Sequence, residues 1–394
     1  MKKIKFFERG TAALAIASLV AVSLLAGCTD QSGGASDAAA GDNAETTTTA
    51  AEITVAKESS SAKITVDGTK FMVDGKELWI NGVNTPWQNW NDFGGTAFDE
   101  TFWDSHFSDL HDIGVNASRV WINCNSMVGI KLKTTGEVKE VLDKHWQDVD
   151  KLFEIAEKHQ IYVMPTLLSF DHCKDTNYAD RWRAVITDET AMQSYIDNYV
   201  KPFAERYGSN PYMLGIDLMN EPDWVHENDE CGKLSLEDLS KFFAKCTAGA
   251  HEANPDVLVT VGMGMIKYNS DKGNCSGNII SDEIMKSYGG DNACLDFYSV
   301  HYYDWMKPNW GSAFEASPAD YGLDMSKPVF LGEIGTETPL KDVYQSCYDL
   351  GWNGVMMWMS NNGAEHADNW ADLEAAAKNM EETAGDKVFP IGKR

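Results

Sequence analysis

Two glutamates stand where a buried strand would meet solvent. The apolar run 214–219 ends at Asn220-Glu221-Pro222, and a buried strand cannot continue through a proline. A second apolar run ends at Glu333. Two carboxyl groups that face each other can divide acid and nucleophile roles, because one keeps a proton while the other stays ionised. A single glutamate at a strand end is more often a solvated or salt-bridged group, so the pair must be judged with its neighbours.

Polar side chains at the ends of other apolar runs suit such a division of roles. Arg119, in the run 117–122, could hold the carboxylate of Glu333 in a bidentate pair and keep it ionised. Tyr303 could donate a hydrogen bond to the same carboxylate. Burial and the neighbouring negative charge are expected to raise the pKa of Glu221, so that this group keeps its proton near neutral pH.

A proton donor and a nucleophile of this kind favour hydrolysis of a glycosidic bond with retention of configuration. That reaction needs two carboxyl groups roughly 5–5.5 Å apart, one as acid and base and the other as nucleophile. Asn220, next to Glu221, could reach a sugar 2-hydroxyl, a contact that strengthens in the transition state. Trp358 offers a flat apolar face against which a pyranose ring can stack.

Short apolar runs alternate with segments of helical period, and these elements must bring the polar ends together. The runs cover residues 78–83, 117–122, 162–168, 214–219, 258–262, 297–300, 329–332 and 355–358. Between them, apolar residues recur with helical spacing over 102–113 and 149–156, and a third helix is expected at 190–207. This alternation over about 330 residues predicts an α/β fold, a (β/α)8 TIM barrel with loop insertions at the C-terminal rim, where barrel enzymes build their sites.

Two further features bear on the architecture. The Asp67-Gly68 turn between two alternating runs indicates a short N-terminal β-hairpin, which is expected to cap the bottom of the barrel. A doubly wound open sheet is the alternative fold. No Gly-rich phosphate loop follows the first strand, and Gly262-Met263-Gly264 is too short for one and fits the exit of the fifth strand.

The N-terminal sixty residues contribute almost nothing to a core. Basic residues precede an apolar stretch and the sequence Leu-Ala-Gly-Cys, which ends at Cys28, so a secretory signal peptide is predicted over 1–27. This sequence resembles the bacterial lipoprotein box, which implies lipidation of Cys28 and an exported chain anchored at the bacterial cell surface or membrane. An ordinary signal peptide with a chance cysteine is the alternative. Residues 28–60 predict a flexible tether, and the catalytic domain is expected at 61–394.

Composition limits the partners and cofactors. The formal net charge of −27 disfavours nucleic acid and anionic lipid headgroups and suits a neutral substrate. The seven cysteines other than Cys28 match no zinc spacing, although one or two disulfides are compatible with export. His226-Glu227 and His251-Glu252 lack the second histidine of a metalloprotease helix, and no Gly-x-Ser-x-Gly elbow is present. We therefore expect no metal, no cofactor and a monomer.

Four motifs together resemble glycoside hydrolase family 5, the retaining (β/α)8-barrel glycosidases that include cellulases and β-mannanases. In the family's order, they are Met219-Asn220-Glu221-Pro222, His301-x-Tyr303, Gly332-Glu333-Ile334-Gly335 and the terminal Trp358. The likeness spans residues 64 to about 365. It implies that Glu221 is the general acid/base and Glu333 the nucleophile. It also places five residues around the sugar at the cleaved bond: Arg119, Asn220, His301, Tyr303 and Trp358.

Other aromatic residues and one histidine are candidate substrate contacts. Most tryptophans simply pack in cores, but five follow strand ends and are predicted glycan subsites: Trp87, Trp90, Trp182, Trp224 and Trp305. The family often has a histidine after the third strand, and His172 matches that position only approximately. A loop histidine that serves a neighbouring aspartate is the alternative.

These observations predict a secreted, lipid-anchored, retaining endo-β-1,4-glycanase. The expected substrate is mannan or glucomannan, because residues 84–90 and 169–172 look like the mannan-degrading and related bacterial branches of the family. β-Glucan or cellulose is the alternative substrate, since nothing at the rim reports the orientation of the sugar 2-hydroxyl. A glycan-binding lipoprotein without turnover is a further alternative, although both glutamates are present.

Overall fold

The computed structural model describes residues 62–175, 178–361 and 370–394. The predicted signal peptide, Cys28 and the predicted tether lie outside the described residues. The strands, in chain order, are β1 (Ile64–Asp67), β2 (Lys70–Val73), β3 (Lys76–Leu78), β4 (Ile80–Asn84), β5 (Ala117–Trp121), β6 (Ile130–Leu132), β7 (Val138–Val141), β8 (Tyr162–Thr166), β9 (Ile216–Asn220), β10 (Val259–Met263), β11 (Asn269–Ser270), β12 (Gly277–Asn278), β13 (Tyr298–Tyr303), β14 (Val329–Gly335) and β15 (Gly354–Trp358).

Eight of these strands close a parallel barrel in the order β4-β5-β8-β9-β10-β13-β14-β15, with β15 pairing back to β4. Each predicted apolar run corresponds to one barrel strand, and the predicted TIM barrel is confirmed. Helices cover the outside of a parallel barrel and side chains fill its inside, which explains why the runs are nearly continuous in apolar residues. Strands β13 and β14 extend beyond the predicted runs and include three polar residues of the rim, His301, Tyr303 and Glu333.

The helices pack around the barrel and within its loops. They are α1 (Glu100–Asp112), α2 (Asp143–His159), α3 (Ala179–Thr187), α4 (Glu189–Tyr195), α5 (Lys201–Tyr207), α6 (Asp223–Glu227), α7 (Leu236–Ala253), α8 (Asp282–Gly289), α9 (Lys307–Trp310), α10 (Pro318–Tyr321), α11 (Leu340–Asp349) and α12 (Trp370–Val388). Asp99 caps the start of α1 by accepting a hydrogen bond from the Phe102 N–H, and the chain turns away at Gly114, whose φ is 99°. None of the helices in the described part of the chain is long and apolar enough to cross a membrane.

The helix predicted at 190–207 contains an irregular middle. A π-helical segment, Ile196–Val200, separates α4 from α5, and Pro202 stands in the first turn of α5. Proline lacks the backbone N–H that an α-helix would use at this point, so the wider π turn absorbs the interruption.

The N-terminal strands lie where the hairpin was expected. Strands β1, β2 and β3 form an antiparallel sheet. The register of β1 and β2 pairs Ile64 with Val73 and continues without a bulge to the turn. The Phe71 ring on β2 packs edge-on against Phe297, which precedes β13, at 5.2 Å, and against Phe330 at 6.2 Å. These contacts are at the N-terminal ends of barrel strands, so the sheet caps the bottom and leaves the opposite rim open. In the described residues, the cysteines from Cys124 to Cys347 form no disulfide.

Candidate active site

Glu221 marks an abrupt change in backbone direction at the end of β9. Its φ of 48° lies in the left-handed region, which residues other than glycine seldom adopt. Its backbone N–H donates to the carbonyl oxygen of Gly262 at 2.7 Å, on the neighbouring strand β10. The chain therefore leaves the strand at Glu221, and the side chain lines the cleft with only 13% of it exposed.

Glu333 lies within β14, three strands further round the barrel, and is 5% exposed. One carboxylate oxygen of Glu333, one of Glu221 and a ring nitrogen of His301 all lie within 4.8 Å of one another. Carboxyl groups are about 5–5.5 Å apart in retaining glycosidases and about 6.5–9.5 Å apart in inverting ones, which need room for a water molecule. The observed separation corresponds to the retaining geometry.

The carboxylate of Glu333 has a charged and a phenolic partner. The Nη1 group of Arg119 donates to its Oε2 at 3.1 Å, and the Tyr303 hydroxyl donates to its Oε1 at 2.5 Å. Tyr303 reaches this position because its ring packs closely against Gly335, where a Cβ atom would be 2.2 Å from the ring carbon Cε1. The tyrosine ring therefore requires a residue without a side chain at position 335, the second glycine of the motif that contains Glu333.

Glu221 has different partners. The Nδ1 atom of His301 lies 3.1 Å from its Oε1, and the indole N–H of Trp224 donates to its Oε2 at 3.1 Å. Burial lowers the pKa of His301 to about 4, so this imidazole is neutral near pH 7. His301 also stands 3.8 Å from Glu333 Oε2, which places it between the two carboxyl groups.

Arg119 is held mainly by a residue that the sequence did not reveal, Asp217. The Nε and Nη2 groups of Arg119 donate to Asp217 Oδ2 at 2.9 and 2.6 Å, and both side chains are fully buried. Arg119 then gives Glu333 a single hydrogen bond rather than the bidentate pair expected. The same guanidinium contacts the Oδ1 atoms of Asn84 and Asn220 at 3.2 and 2.8 Å. Asp217 thus orients the cation that reaches Glu333.

Replacing Asp217 with alanine should lower the free energy of unfolding by about 3–5 kcal/mol, because Arg119 would keep a buried charge without its main partner. Urea denaturation followed by tryptophan fluorescence measures this change. Glu154→Ala is the matched control, since it removes an exposed ion pair with Lys151 on α2 and should leave the urea midpoint nearly unchanged. Equally small shifts for both variants would show that Asp217 does not stabilise the buried guanidinium.

The two glutamates differ in how strongly their ionised forms are favoured. Burial raises the pKa of Glu221 to about 7. Burial also raises the pKa of Glu333. This desolvation opposes the lowering of the pKa expected from Arg119, and the sequence alone gives no sign of it. Of the two, Glu333 alone has a cation within hydrogen-bonding distance among the described residues, and the Tyr303 hydroxyl favours its charged form as well. Glu221 is consequently the group that keeps a proton.

A cavity of 530 Å³ opens above the two carboxyl groups. Its lining residues are Trp87, Trp90, Trp121, Phe170, Asp171, Lys174, Asn220, Glu221, Tyr303, Glu333, Trp358 and Met359. The rings of Trp87 and Trp121 pack edge-on against Trp358, with centroids 6.0 and 5.4 Å apart, and Trp87 packs in the same manner against Trp90 at 4.6 Å. These rings form a continuous aromatic wall. Trp121 was not among the predicted subsite residues.

The second predicted tryptophan pair lies beside the acid rather than in this wall. Trp224 is bound to Glu221 through its indole N–H, and the Trp305 ring lies 6.1 Å from that of Trp224. Trp305 is 49% exposed, at the outer edge of the cleft. The structure therefore brings four of the five predicted tryptophans to the rim, in two separate groups. The prediction for Trp182 is wrong, because this side chain is 1% exposed and packs against the His172 ring.

His172 lies away from the cavity, in contrast to the prediction that it contacts substrate. Its Nδ1 atom is 3.0 Å from the backbone nitrogen of Ser169, and its ring packs edge-on against Trp182 at 4.7 Å. The side chain is 1% exposed, and burial lowers its pKa to about 4. Its partner is thus the Ser169 backbone rather than Asp171 or Asp175. The histidine shapes the loop after β8, from which Asp171 reaches the cavity.

Glu221, His301 and Glu333 are also the residues of the described chain whose atoms are spaced closely enough to suit a metal ion. The Arg119 guanidinium, 3.1 Å from Glu333, already supplies the positive charge at this point. A metal cation bound to these three residues would be repelled by the guanidinium. The donor set therefore fits proton transfer better than metal binding.

A closed (β/α)8 barrel with a proton-bearing glutamate, a cation-paired glutamate and an aromatic wall at its C-terminal rim defines a barrel glycoside hydrolase. The family model described as Cellulase (glycosyl hydrolase family 5) matches residues 72–373. The match covers well over half of the chain, so the chain belongs to glycosyl hydrolase family 5 and is a glycoside hydrolase. The resemblance identified from the four motifs is confirmed.

Several named proteins resemble the chain along most of their length. A mannan endo-1,4-beta-mannosidase of Mytilus edulis is 26% identical over 340 residues, which cover 79% of this chain and 91% of that protein. One from Cryptopygus antarcticus is 22% identical over 343 residues, covering 79% and 88%. The solved mannanase structures from Mytilus edulis and Aplysia kurodai both superpose with a TM-score of 0.73 at 23% identity. They cover 82% and 83% of this chain and 97% and 99% of their own chains, and they show the same fold.

Proposed function

We propose that this chain is a retaining endo-β-1,4-mannanase that hydrolyses mannan or glucomannan by double displacement. The observation that carries the proposal is the pair of carboxyl groups, within 4.8 Å of each other, of which Glu333 has a cationic partner and Glu221 has only uncharged ones. Glu333, held by a guanidinium and a phenol, suits attack on an anomeric carbon. Glu221, with a pKa near 7, suits delivery of a proton to the departing oxygen.

The two steps use the same residues in reversed roles. In the first, Glu333 forms a bond to the anomeric carbon while the glycosidic bond breaks and Glu221 protonates the leaving oxygen. In the second, the ionised Glu221 takes a proton from water, which attacks the anomeric carbon and releases Glu333. The product therefore keeps the β configuration.

Asn220 and Trp358 are the proposed contacts to the sugar at the cleaved bond. The Nη2 group of Arg119 donates a hydrogen bond to Asn220 Oδ1 at 2.8 Å, and this bond fixes which way the amide group points. The amide NH2 group, 3.5 Å from the Ser169 hydroxyl, is then the one that can donate to a 2-hydroxyl. Trp358, braced by two other indole rings, supplies the stacking face.

Mannan is the favoured substrate because the named relatives from Mytilus edulis and Cryptopygus antarcticus are mannan endo-1,4-beta-mannosidases. β-1,4-Glucan is the second candidate, since the matching family model carries the description Cellulase. The two sugars differ in the orientation of the 2-hydroxyl, which Asn220 would contact.

Product profiles on 1,4-β-mannohexaose and cellohexaose test the substrate and the mode of action together. We expect early release of di-, tri- and tetrasaccharides from the mannan series, with little monosaccharide, and a kcat/KM at least about 10-fold above that for cellohexaose. Glu333→Gln serves as the inactive control in the same assay. A preference for cellohexaose would replace mannan with β-glucan, and monosaccharide as the first product would indicate exo action. Binding of both sugars without hydrolysis would indicate a glycan-binding protein.

The pH dependence follows from the pKa of Glu221. Because its protonated form is needed in the first step, kcat/KM for an oligosaccharide should fall above pH about 7, by about 10-fold per pH unit. An aryl mannoside with a good leaving group needs little protonation and should show a weaker fall. Initial rates from pH 5 to 9 measure both profiles. An oligosaccharide rate that stays constant up to pH 9 would contradict the role of Glu221 as acid.

We also propose that the mature protein is exported, lipidated at Cys28 and monomeric. The sequence up to Cys28, outside the described residues, supports this, because a cationic start, an apolar stretch and Leu-Ala-Gly-Cys occur in the order of a lipoprotein signal. Incorporation of an alkyne-labelled fatty acid in the wild type, and its loss in Cys28→Ala, would support lipidation. Labelling of both variants would oppose it.

A further inference from the structure

The segment Gly262-Met263-Gly264, at the end of β10, forms a wall behind the proposed acid. The carbonyl oxygen of Gly262 accepts the backbone N–H of Glu221 at 2.7 Å. Two aspartates, one before and one after Glu221 in the sequence, accept hydrogen bonds from the backbone at the two ends of this segment. Gly262 N–H donates to Asp217 Oδ1 at 2.8 Å, and Gly264 N–H donates to Asp223 Oδ2 at 2.5 Å.

Both glycines are in close contact with active-site side chains. A Cβ atom on Gly262 would lie 2.6 Å from Arg119 Nη2. A Cβ atom on Gly264 would lie 3.1 Å from each of Glu221 Cβ and Cγ, and 3.1 Å from Asp223 Oδ2. The backbone of Gly264 is thus the surface against which the Glu221 side chain rests.

Asp223 is a buried carboxyl group that the mechanism above does not use. It is 1% exposed, and in the described residues its Oδ1 atom has no hydrogen-bond partner. Its Oδ2 contact with Gly264 joins the turn after β9 to the end of β10, and neither residue is among those that line the cavity. A charged carboxylate is costly to bury unless it is paired and hydrogen-bonded, and protonation removes most of that cost.

We propose that Asp223 is a positioning residue for Glu221, which holds Gly264 against the Glu221 side chain and so fixes the carboxyl group between His301 and Trp224. The inference rests on the proposed acid/base role of Glu221. It explains why the glutamate can keep a left-handed backbone, with a φ of 48°, and one carboxyl orientation at the edge of an open cleft.

The charge state of Asp223 agrees with this role. Burial raises the pKa of Asp223 to about 7, and the nearby Glu221 carboxyl acts in the same direction. Much of Asp223 therefore carries a proton near neutral pH, which reduces the negative charge beside the acid. Asparagine has the same shape as the protonated side chain and can still accept the Gly264 N–H.

The test compares Asp223→Ala with Asp223→Asn on two substrates. One is the oligosaccharide that the wild type hydrolyses, and the other is an aryl glycoside of the same sugar with a good leaving group. In Asp223→Ala, kcat for the oligosaccharide should fall about 10- to 100-fold with KM changed less than about 2-fold, since a misplaced acid affects the chemical step. For the aryl glycoside, kcat/KM should fall less than about 3-fold. Asp223→Asn should restore most of the oligosaccharide rate.

A purely structural role would give another pattern. Equal losses on both substrates, or no difference between the alanine and asparagine variants, would overturn the proposal. Hydrolysis by the wild type is measured in the same assay. If the wild type is active but the variants do not follow the expected pattern, this inference fails and the proposed function stands. If the wild type cleaves neither substrate, it is the proposed function that fails.

Gly264→Ala tests the same contact if Asp223→Ala does not fold, because it leaves Asp223 intact and only adds a methyl group 3.1 Å from Glu221. Its oligosaccharide kcat should fall about 10-fold with the aryl glycoside nearly unaffected. Gly385→Ala is the control, since among the described residues nothing beyond its own neighbours and helix backbone lies within 4 Å of the added Cβ. Wild-type rates in Gly264→Ala would show that the wall does not position the acid.

Discussion

Replacement of Glu333 by alanine is expected to reduce kcat on every substrate by roughly 10⁴- to 10⁶-fold, the scale of loss when a hydrolase is deprived of its nucleophile. No bond to the anomeric carbon can form, so a better leaving group cannot compensate. The fold should persist, because Arg119 retains its two bonds to Asp217. Stopped assays on an oligosaccharide and on an aryl glycoside measure the loss.

Azide distinguishes a lost nucleophile from general damage in the Glu333 variant. The small anion can enter the space vacated by the carboxylate and attack the anomeric carbon from the same face. An aryl glycoside should then give a glycosyl azide of inverted, α configuration. Glu333→Gln fills that space and serves as the control that azide should not rescue. A β-azide from Glu333→Ala would contradict the assignment.

Replacement of Glu221 by alanine is expected to reduce oligosaccharide turnover by about 10²- to 10⁴-fold, the usual contribution of a positioned acid or base. The effect should depend on the leaving group, because a good one departs without a proton. With an activated aryl glycoside, the first step should remain fast and the second should become slow, since no base activates water. Rapid-quench measurements should therefore show a burst of released aryl group followed by a low steady rate.

For Glu221→Ala, the configuration of the azide product again distinguishes loss of the catalytic group from general damage. Here azide attacks the intermediate formed on Glu333, so two inversions produce a β-azide and the steady rate should rise. Trp224→Phe is a useful companion, since it removes the indole N–H that binds Glu221 Oε2 and keeps a smaller aromatic ring in its place. Equal losses on activated and natural substrates, without a burst, would show that Glu221 is not the acid.

The barrel and the main rim residues were predictable for physical reasons. Strands buried on both faces must be nearly continuous in apolar residues, so each run could be recognised from its neighbours in sequence. The C-terminal ends of parallel strands meet at one rim, so polar residues that follow distant runs were expected to converge. Glu221 and Glu333, 112 positions apart in the chain, do meet within 4.8 Å.

Asp217 was missed because its role depends on a residue 98 positions away. It stands in an apolar run that was interpreted as an ordinary buried strand. A charged residue in such a run requires a partner, and that requirement was the available signal. The partner's identity follows only from barrel closure, which places β5 and β9 on the same side of the rim. The expected Arg119–Glu333 bidentate pair was inaccurate for the same reason.

Side-chain direction explains the other differences. His172 points into its own loop because the Ser169 backbone offers it a partner three residues away. Trp224 turns toward Glu221, and Trp121 joins the aromatic wall through Trp358. Such choices depend on packing between elements rather than on the spacing of residues along one element.

The configuration of the first-formed product tests the carboxyl pair most directly. Proton NMR during hydrolysis of an oligosaccharide resolves the α and β reducing ends before mutarotation mixes them. A double displacement by Glu333 and Glu221 predicts that the β anomer appears first and the α anomer accumulates only later. The α anomer as the first product would mean direct attack by water, and would contradict Glu333 as a nucleophile.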